Sequence, residues 1–392
     1  MAGTSDAEIL IVGAGIAGLS AAIALDRIGI GVQIVERATA LTQAGTALSL
    51  WPNALVALQQ IGMGGVVGDI GIDEPSGVGC RPSGREIFKL DQGRLSQRLG
   101  MATQIVFRAE LQRVLMKAAE HIPIRLHTHA VSITADGRTG RVALSTGERL
   151  RSGAVLACDG VHSTARSFVG NRAPSYRHHT SWRAVLHDSA ELVPTARLTI
   201  GRGQQFIMSP MKGTLVFWAA DVALPEGTNA AMADKKAFLR AAFDGWHSPI
   251  CELIERTDEE QLVIADIYDS VPDHLVRGPV ALLGDAAHPM TPDLGQGACQ
   301  GIEDAVVMAA CLDGEPDRLV ALLNYETVRL RRVRTIVRDS RRIGRLATAR
   351  SPAVATARDL VTRYMPPWLN ARLVARYASE DAFIRNLHRA TT

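Results

Sequence analysis

Three stretches of this 392-residue chain carry residues whose types and spacing could do chemistry. The first is Gly13-Ala14-Gly15-Ile16-Ala17-Gly18, which follows the apolar run Ile9 to Val12 and opens an alanine-rich segment ending near Gly29. The pattern predicts a strand, a tight turn, a helix over Leu19 to Ile28 and a second strand over Val32 to Val35. In such a β-α-β unit Gly13 permits the turn, Gly15 lets the backbone approach a pyrophosphate, and Gly18 lets helix and strand pack closely. Free N–H groups at the helix start would face the phosphates. Glu36 ends the second strand, where a carboxylate can accept hydrogen bonds from both ribose hydroxyls of an adenosine. It would repel a 2′-phosphate, so FAD or NAD fits better than NADP, and composition does not choose between the two.

The second stretch is Ala157-Cys158-Asp159-Gly160-Val161-His162-Ser163-Thr164-Ala165-Arg166, after another apolar run. Read alone, it is equally a turn in which Asp159 caps a helix starting near Ser163. The third runs Leu283-Gly284-Asp285-Ala286-Ala287-His288-Pro289-Met290-Thr291-Pro292-Asp293-Leu294-Gly295-Gln296-Gly297-Ala298. A buried strand ends at an acid, prolines fix a loop, and glycines let a ligand approach a long helix through Cys311. A helix starting near Gln296 would aim its positive end at that ligand.

In this order and at these separations, the three stretches resemble the class A flavoprotein monooxygenases, the group that contains para-hydroxybenzoate hydroxylase. The likeness spans about residues 8 to 345. The segments Ala47-Leu48-Ser49-Leu50-Trp51-Pro52-Asn53-Ala54 and Asp273 to Ala305 look most like bacterial urate-hydroxylase-like and zeaxanthin-epoxidase-like members. The resemblance selects non-covalent FAD, with NADH or NADPH and O2 as co-substrates. It implies hydroxylation or epoxidation of a small aromatic or heteroaromatic substrate through a flavin C4a-hydroperoxide, in a site that excludes water. It further implies that Gly13, Gly15, Ala17, Gly18, Glu36 and Arg37 hold the adenosine end. Ser49 joins the cofactor set, Arg108 touches the middle of the cofactor and Val131 lies by the adenine. Asp159 and Gly160 lie near the pyrophosphate and assist the nicotinamide cofactor. Asp285 bonds the ribityl chain, while Pro292, Gly295, Gln296, Gly297 and Ala298 surround the isoalloxazine. One departure bears on substrate: urate hydroxylases of this type carry arginine where Gln205 stands, so urate is not the expected substrate.

No general base is assigned. His288 and Pro292 sit in the flavin loop, and His288 could orient substrate or be satisfied by local hydrogen bonds. Arg183 could recognise a phosphate or carboxylate or form a surface ion pair. Trp51, Phe206, Met208, Phe217 and Trp218 could line an apolar pocket as a set, although each alone is equally ordinary core. Two rival functions are a redox-inert FAD-binding protein and a flavin oxidoreductase of the same fold with different chemistry. The tryptophan-halogenase pattern W-x-W-x-x-I-P is absent.

The elements that must position these residues follow from the same patterns. A helix is expected over Arg108 to Glu120, with strands at Arg125 to Ile133, Arg141 to Ser145 and Ala154 to Ala157. Strands at Ser181 to His187, Ala196 to Ile200, Gln205 to Met208 and Leu215 to Trp218 have antiparallel spacing. Helical stretches follow at Lys235 to Phe243 and Ile250 to Glu255, and Val280 to Leu283 returns as a buried parallel strand. The fold class is α/β: a Rossmann-like FAD-binding domain interleaved with a mixed, largely antiparallel substrate domain and a C-terminal helical segment. The expected divisions are 1–70, 101–175 and 271–345 for the first, 71–100 and 176–270 for the second, and 346–392 for the third.

Composition bounds the rest. Apolar residues make 47% and charged residues 21% of the chain, which is the balance of a compact globular protein. A net charge of +3 gives no field that calls for nucleic acid or membrane. Eight arginines between Arg329 and Arg345 alternate with Leu330, Val333, Ile336, Val337 and Ile343, which reads as an outer helix with a solvated basic face. Five scattered cysteines suggest neither a metal site nor disulfides and suit the cytoplasm. The run from Ile9 to Leu25 is too short and too glycine-broken for a membrane span and follows acids rather than the basic residues of a signal.

Overall fold

The computed structural model describes residues 7–40 and 46–379. Ile9–Val12 lies inside a six-stranded sheet whose order is Val276–Arg277, Val280–Leu282, Ala154–Ala157, Ile9–Val12, Val32–Val35 and Ile124–Arg125. Pairing is parallel except at the edge, where Val276–Arg277 runs against Val280–Leu282. Ile9–Val12, Val32–Val35 and Ala154–Ala157 are buried at every position, as continuous apolar strands covered on both faces should be. One cover is the helix pair Ile16–Arg27 and Gly297–Gly314, which pack on each other. The other includes a three-stranded antiparallel sheet of Ala130–Asp136, Thr139–Leu144 and Arg149–Ser152.

Among the boundaries that move, two lie in the first domain's β-α-β region and its cover. The first helix begins at Ile16 rather than Leu19, with Gly15 at its N-cap, so Gly18 already sits in the first turn. The single strand expected over Arg125 to Ile133 is two, because His127 takes a left-handed φ of 54° and breaks the extended run.

The seven-stranded sheet runs in the order Val263–Asp269, Ser175–Leu186, Val216–Val222, Gln204–Pro210, Ala196–Ile200, Gly77–Cys80 and Glu86–Leu90. Register decides what each strand shows to each side. Phe206 pairs with Ala220, Met208 with Trp218, and Gln205 with Asp221. Because side chains alternate, Trp182, Phe206, Met208 and Trp218 share one face, while Arg183, Val185, Gln205, Phe217 and Asp221 share the other. The first face closes a core with Leu239, Phe243, Ile250 and Leu253 from the helices that follow, and Phe206 stacks on Trp218 with ring centres 5.3 Å apart. The second face meets a small sheet of Ala47–Leu50, Gly71–Asp73 and Gln104–Phe107, with Val185 and Phe217 packing near Ile105 and Phe107.

The basic helix is not the solvated outer element its composition suggests. It spans Arg318–Ala347, and Arg329 is completely buried in ion pairs with Glu303 and Asp304. Arg332 pairs with Glu303, Arg341 with Asp269, and Arg334 donates to the carbonyls of Pro272 and Asp273. These arginines fasten the helix to its neighbours, because acids and carbonyls distant in sequence meet its inner side. Helices Pro352–Tyr364 and Pro367–Ala378 follow. Among the described residues, no helix is long and apolar enough to cross a membrane.

Candidate functional site

The three chemistry-bearing stretches meet at one end of the six-stranded sheet, and missing side chains are what let them meet. Gly13 has a φ of 105°, and a Cβ there would lie 2.4 Å from the carbonyl oxygen of Cys158. A Cβ on Gly18 would lie 1.9 Å from the carbonyl oxygen of Gly13. Ala17 fills the gap left by two more glycines: a Cβ on Gly284 or Gly301 would come within 2.9 or 3.0 Å of the Ala17 methyl. Gly15 has open space before it, with nothing within 4 Å of a built Cβ. Glu36 accepts hydrogen bonds from the Ala14 and Ala38 N–H groups at 2.6 and 2.9 Å, which places its carboxylate beside this turn.

Arg166 joins the second stretch to the third. Its Nη2 donates to the carbonyls of Val161 and Asp285 at 3.0 and 2.8 Å. Burial lowers its pKa to about 10 against the opposing charges of Asp159 and Asp285, and its Nε and Nη1 have no partner among the described residues. Asp159 accepts from the Thr164 N–H and hydroxyl, so it does cap this turn, and its second oxygen is also unpartnered. An open glycine turn and buried donors without acceptors suit the pyrophosphate of a dinucleotide.

The third stretch continues the groove. Asp285, Pro292 and Gly295 are exposed, while Gly297 and Ala298 are half-buried at the start of helix Gly297–Gly314. Gly295 turns with a φ of 60°, and a Cβ there would lie 3.0 Å from the Trp51 indole nitrogen and 4.0 Å from the Ser49 side chain. Arg108 stands nearby: its pKa is lowered by burial, with Asp285 opposing the shift and Arg183 adding to it. Arg183 is half-buried on the inward sheet face and donates to the Ser181 hydroxyl at 3.0 Å. Val131 is 57% exposed on a strand tied to Glu36 by the Thr128 N–H bond to its carbonyl, and Arg37 is exposed beside Glu36.

A dry polar network lies behind this loop. His288 Nε2 contacts Asp304 at 2.6 Å, Arg329 Nε donates to Asp304 at 2.7 Å, and Arg329 Nη1 donates to Glu303 at 2.5 Å. Asn53 donates to Glu303 at 2.6 Å and to Gln296 at 3.1 Å, so the residue before Gly297 is held from behind. Burial would raise the Asp304 pKa, but His288 and Arg329 outweigh it and hold the carboxyl at about 2. Burial is likewise overcome at Glu303, where Arg332 and Arg329 lower the pKa. His288 is fully buried here: its Nε2 is held by Asp304, while its Nδ1 has no hydrogen-bond partner among the described residues.

The five aromatic and methionine candidates divide. Phe206, Met208 and Trp218 are fully buried in the core on the far face of the sheet, so they do not line the site. Strand parity sends them there. Trp51 beside Gly295 and Phe217 on the inward face remain. The described hollows elsewhere, including one of about 450 Å³ lined by Arg331, Arg334 and Arg338, contain none of the motif residues.

Three groups escaped the reading of the sequence. Asp221 is 3% exposed on the inward face, accepts from Gln205 Nε2 at 2.7 Å and keeps one oxygen without a partner among the described residues. Asp293 stands nearby in the loop: burial raises its pKa to about 6, Thr291 opposes this, and Asp221 adds to it. Glu74 is pushed by burial to about 7, with a Ser49 hydrogen bond opposing. Only Asp293 had a signal in the sequence, being inside the proline-glycine loop. Arg166 stood in the second stretch, but its reach to Asp285 depends on the fold.

Fold and site together define a dinucleotide-binding oxidoreductase with a second sheet closing over the far end of its groove. The chain belongs to the FAD binding domain family, whose model matches residues 6–340, and with it to the class A flavoprotein monooxygenases. It is similar to the aurachin C monooxygenase/isomerase of Stigmatella aurantiaca, 35% identical over 362 residues, covering 91% of this chain and 94% of the relative. It is similar to the FAD-dependent urate hydroxylase of Klebsiella pneumoniae, 32% identical over 342 residues, covering 86% and 89%. The crystal structure of Klebsiella pneumoniae HpxO complexed with FAD and uric acid superposes with a TM-score of 0.88 at 28% identity, covering 97% of this chain and 98% of that one. The chain is thus an FAD-dependent monooxygenase.

Proposed function

We propose that FAD extends from Gly13, Gly15, Gly18 and Glu36, past Arg108, Asp159, Arg166 and Asp285, to Pro292 and Gly295 to Ala298. The substrate then lies between that loop and the inward face of the seven-stranded sheet, and it is a neutral heteroaromatic compound bearing a ring N–H. The observation that carries this reading is Asp221, buried with an oxygen left open and close enough to Asp293 to help raise that neighbour's pKa. An anion would be repelled by these two acids, whereas an N–H donor would give the orphan oxygen the partner that a buried acceptor requires. Gln205, holding the other Asp221 oxygen, fixes the direction of that acceptor.

When bound, FAD reduced by a nicotinamide cofactor supplies the chemistry that activates O2. The chain's own residues supply the setting. The start of helix Gly297–Gly314 presents free N–H groups and a positive dipole end that would stabilise negative charge on a flavin held there. Asn53 keeps Gln296 in place, so this donor array is fixed before reaction. Trp51 beside Gly295, and Val185 and Phe217 on the inward sheet face, keep water out. We place the chain in the cytoplasm, where its five free cysteines stay reduced.

The test pairs N–H quinolones and related N-heteroaromatics with their N-methyl analogues. Substrate-stimulated NAD(P)H oxidation and one added oxygen in the product mass are expected for the N–H compounds, with KM at least about ten-fold higher for the methylated ones. Equal turnover of both would refute the Asp221 contact. A chain that neither carries flavin nor takes up added FAD would refute the cofactor path.

A further inference from the structure

The helix Pro352–Tyr364 holds Arg358 and Asp359 on its inner side and leaves several large apolar side chains outside. Arg358 donates to the carbonyls of Ala347 and Gly201 at 3.0 and 3.2 Å and pairs with Asp359 at 2.9 Å. Asp359 also pairs with Arg81 at 3.1 Å. Outside, Leu360, Val361 and Tyr364 are 58%, 60% and 69% exposed, with Val354 one helical stripe below them. The next helix adds Trp368 at 65% and Leu373 at 46%. A surface helix in water buries such a stripe, so this one calls for a cover.

The charge pattern chooses the cover. Arg363, Arg372 and Arg376 are exposed on these two helices and have no ion pair among the described residues. Asp359 is the one acid between residues 351 and 379, and two arginines already hold it. In a two-fold contact with a second copy, these three arginines would be brought toward their own copies, while the acid on the same two helices, Asp359, is already held by two arginines. Apolar residues, a Trp and a Tyr, and unpaired arginines on adjacent helices are instead the parts of a helix lying in an anionic lipid interface.

We infer that the face formed by Pro352–Tyr364 and Pro367–Ala378 docks on an anionic lipid surface, with Leu360, Val361 and Trp368 at the headgroup boundary and the three arginines on lipid phosphates. This holds whatever the substrate is, since none of these residues belongs to the motif loops or the inward sheet face.

The experiment is co-sedimentation of the full-length, FAD-loaded protein with phosphatidylcholine vesicles and with mixed phosphatidylcholine/phosphatidylglycerol vesicles. Binding to the mixed vesicles, weakened by salt and much poorer on phosphatidylcholine alone, is expected. The double variant Arg372→Gln, Arg376→Gln should bind about twenty-five-fold more weakly, at about five-fold per arginine. Val361→Asp and, separately, Trp368→Ala should also weaken binding while flavin absorbance and elution volume report an intact fold. Failure of the native protein to sediment with anionic vesicles overturns the inference. So does unchanged binding by the folded variants, or a native dimer that Val361→Asp converts to a monomer without either species binding vesicles.

Discussion

Around Gly13, Gly15 and Gly295 the backbone itself shapes the site, whereas on strands Gln204–Pro210 and Val216–Val222 only side chains do. In the first region backbone packs on backbone at Gly13 and Gly18, whose Cβ atoms would strike the Cys158 and Gly13 carbonyls, and Gly15 leaves open space before the turn. In the second, neighbouring residues have opposite fates: Phe206 is core, and Gln205 beside it faces the site. A shared cofactor needs the same backbone in every such enzyme, while substrate choice can be rewritten one inward residue at a time.

The harshest way to break this contrast is Gly18→Val, which should leave a protein without flavin absorbance after gel filtration. A yellow, FAD-retaining variant would show that the turn tolerates a side chain. Next in size, Arg329→Met strands Glu303 and Asp304 in the interior and should cost about 3–5 kcal/mol in urea unfolding. A loss below about 1 kcal/mol, the range of surface pairs, would return this arginine to the solvent. Phe206→Ala should likewise cost about 3–5 kcal/mol without changing KM in the folded fraction. Phe217→Ala, by contrast, should raise KM with a smaller stability loss. The reverse pattern would mean that the two sheet faces are assigned the wrong way round.

The smallest effect concerns Glu74. Its folded pKa of about 7 lies above the ordinary 4.5, so the folded chain holds this proton more tightly than the unfolded one. The stability this provides is complete below about pH 4.5 and is lost as pH rises through about 7. Glu74→Gln should therefore raise Tm relative to the native chain more at pH 8 than at pH 5. An equal offset at both values would mean that the carboxyl is solvated.

Legibility in the sequence followed the same division. The β-α-β unit, the strands Val32–Val35 and Ala154–Ala157, and the convergence of the three glycine-bearing stretches were readable, because turns and buried parallel strands impose local residue types. The face taken by Phe206, Met208 and Trp218 was not, since alternation says that two sides differ but not which side meets the cofactor. Arg329 looked solvated because its acids lie on the preceding helix and reach it only after the two helices pack. Glu74 and Asp221 carry no local signal in the sequence, and only burial gives them an unusual character. The outward apolar stripe of Pro352–Tyr364 was hidden for the same reason, as periodicity gives a stripe but not its direction.

The six-stranded sheet draws its neighbours from opposite ends of the chain: Ile9–Val12 pairs with Ala154–Ala157, which pairs with Val280–Leu282. During synthesis the Gly13 turn leaves the ribosome early, yet Gly284 and Gly301, which brace its helix, follow only after most of the polypeptide has emerged. Ile9–Val12 can pair with Val32–Val35 early, but the complete flavin cradle can form only late, after its distant braces have been made.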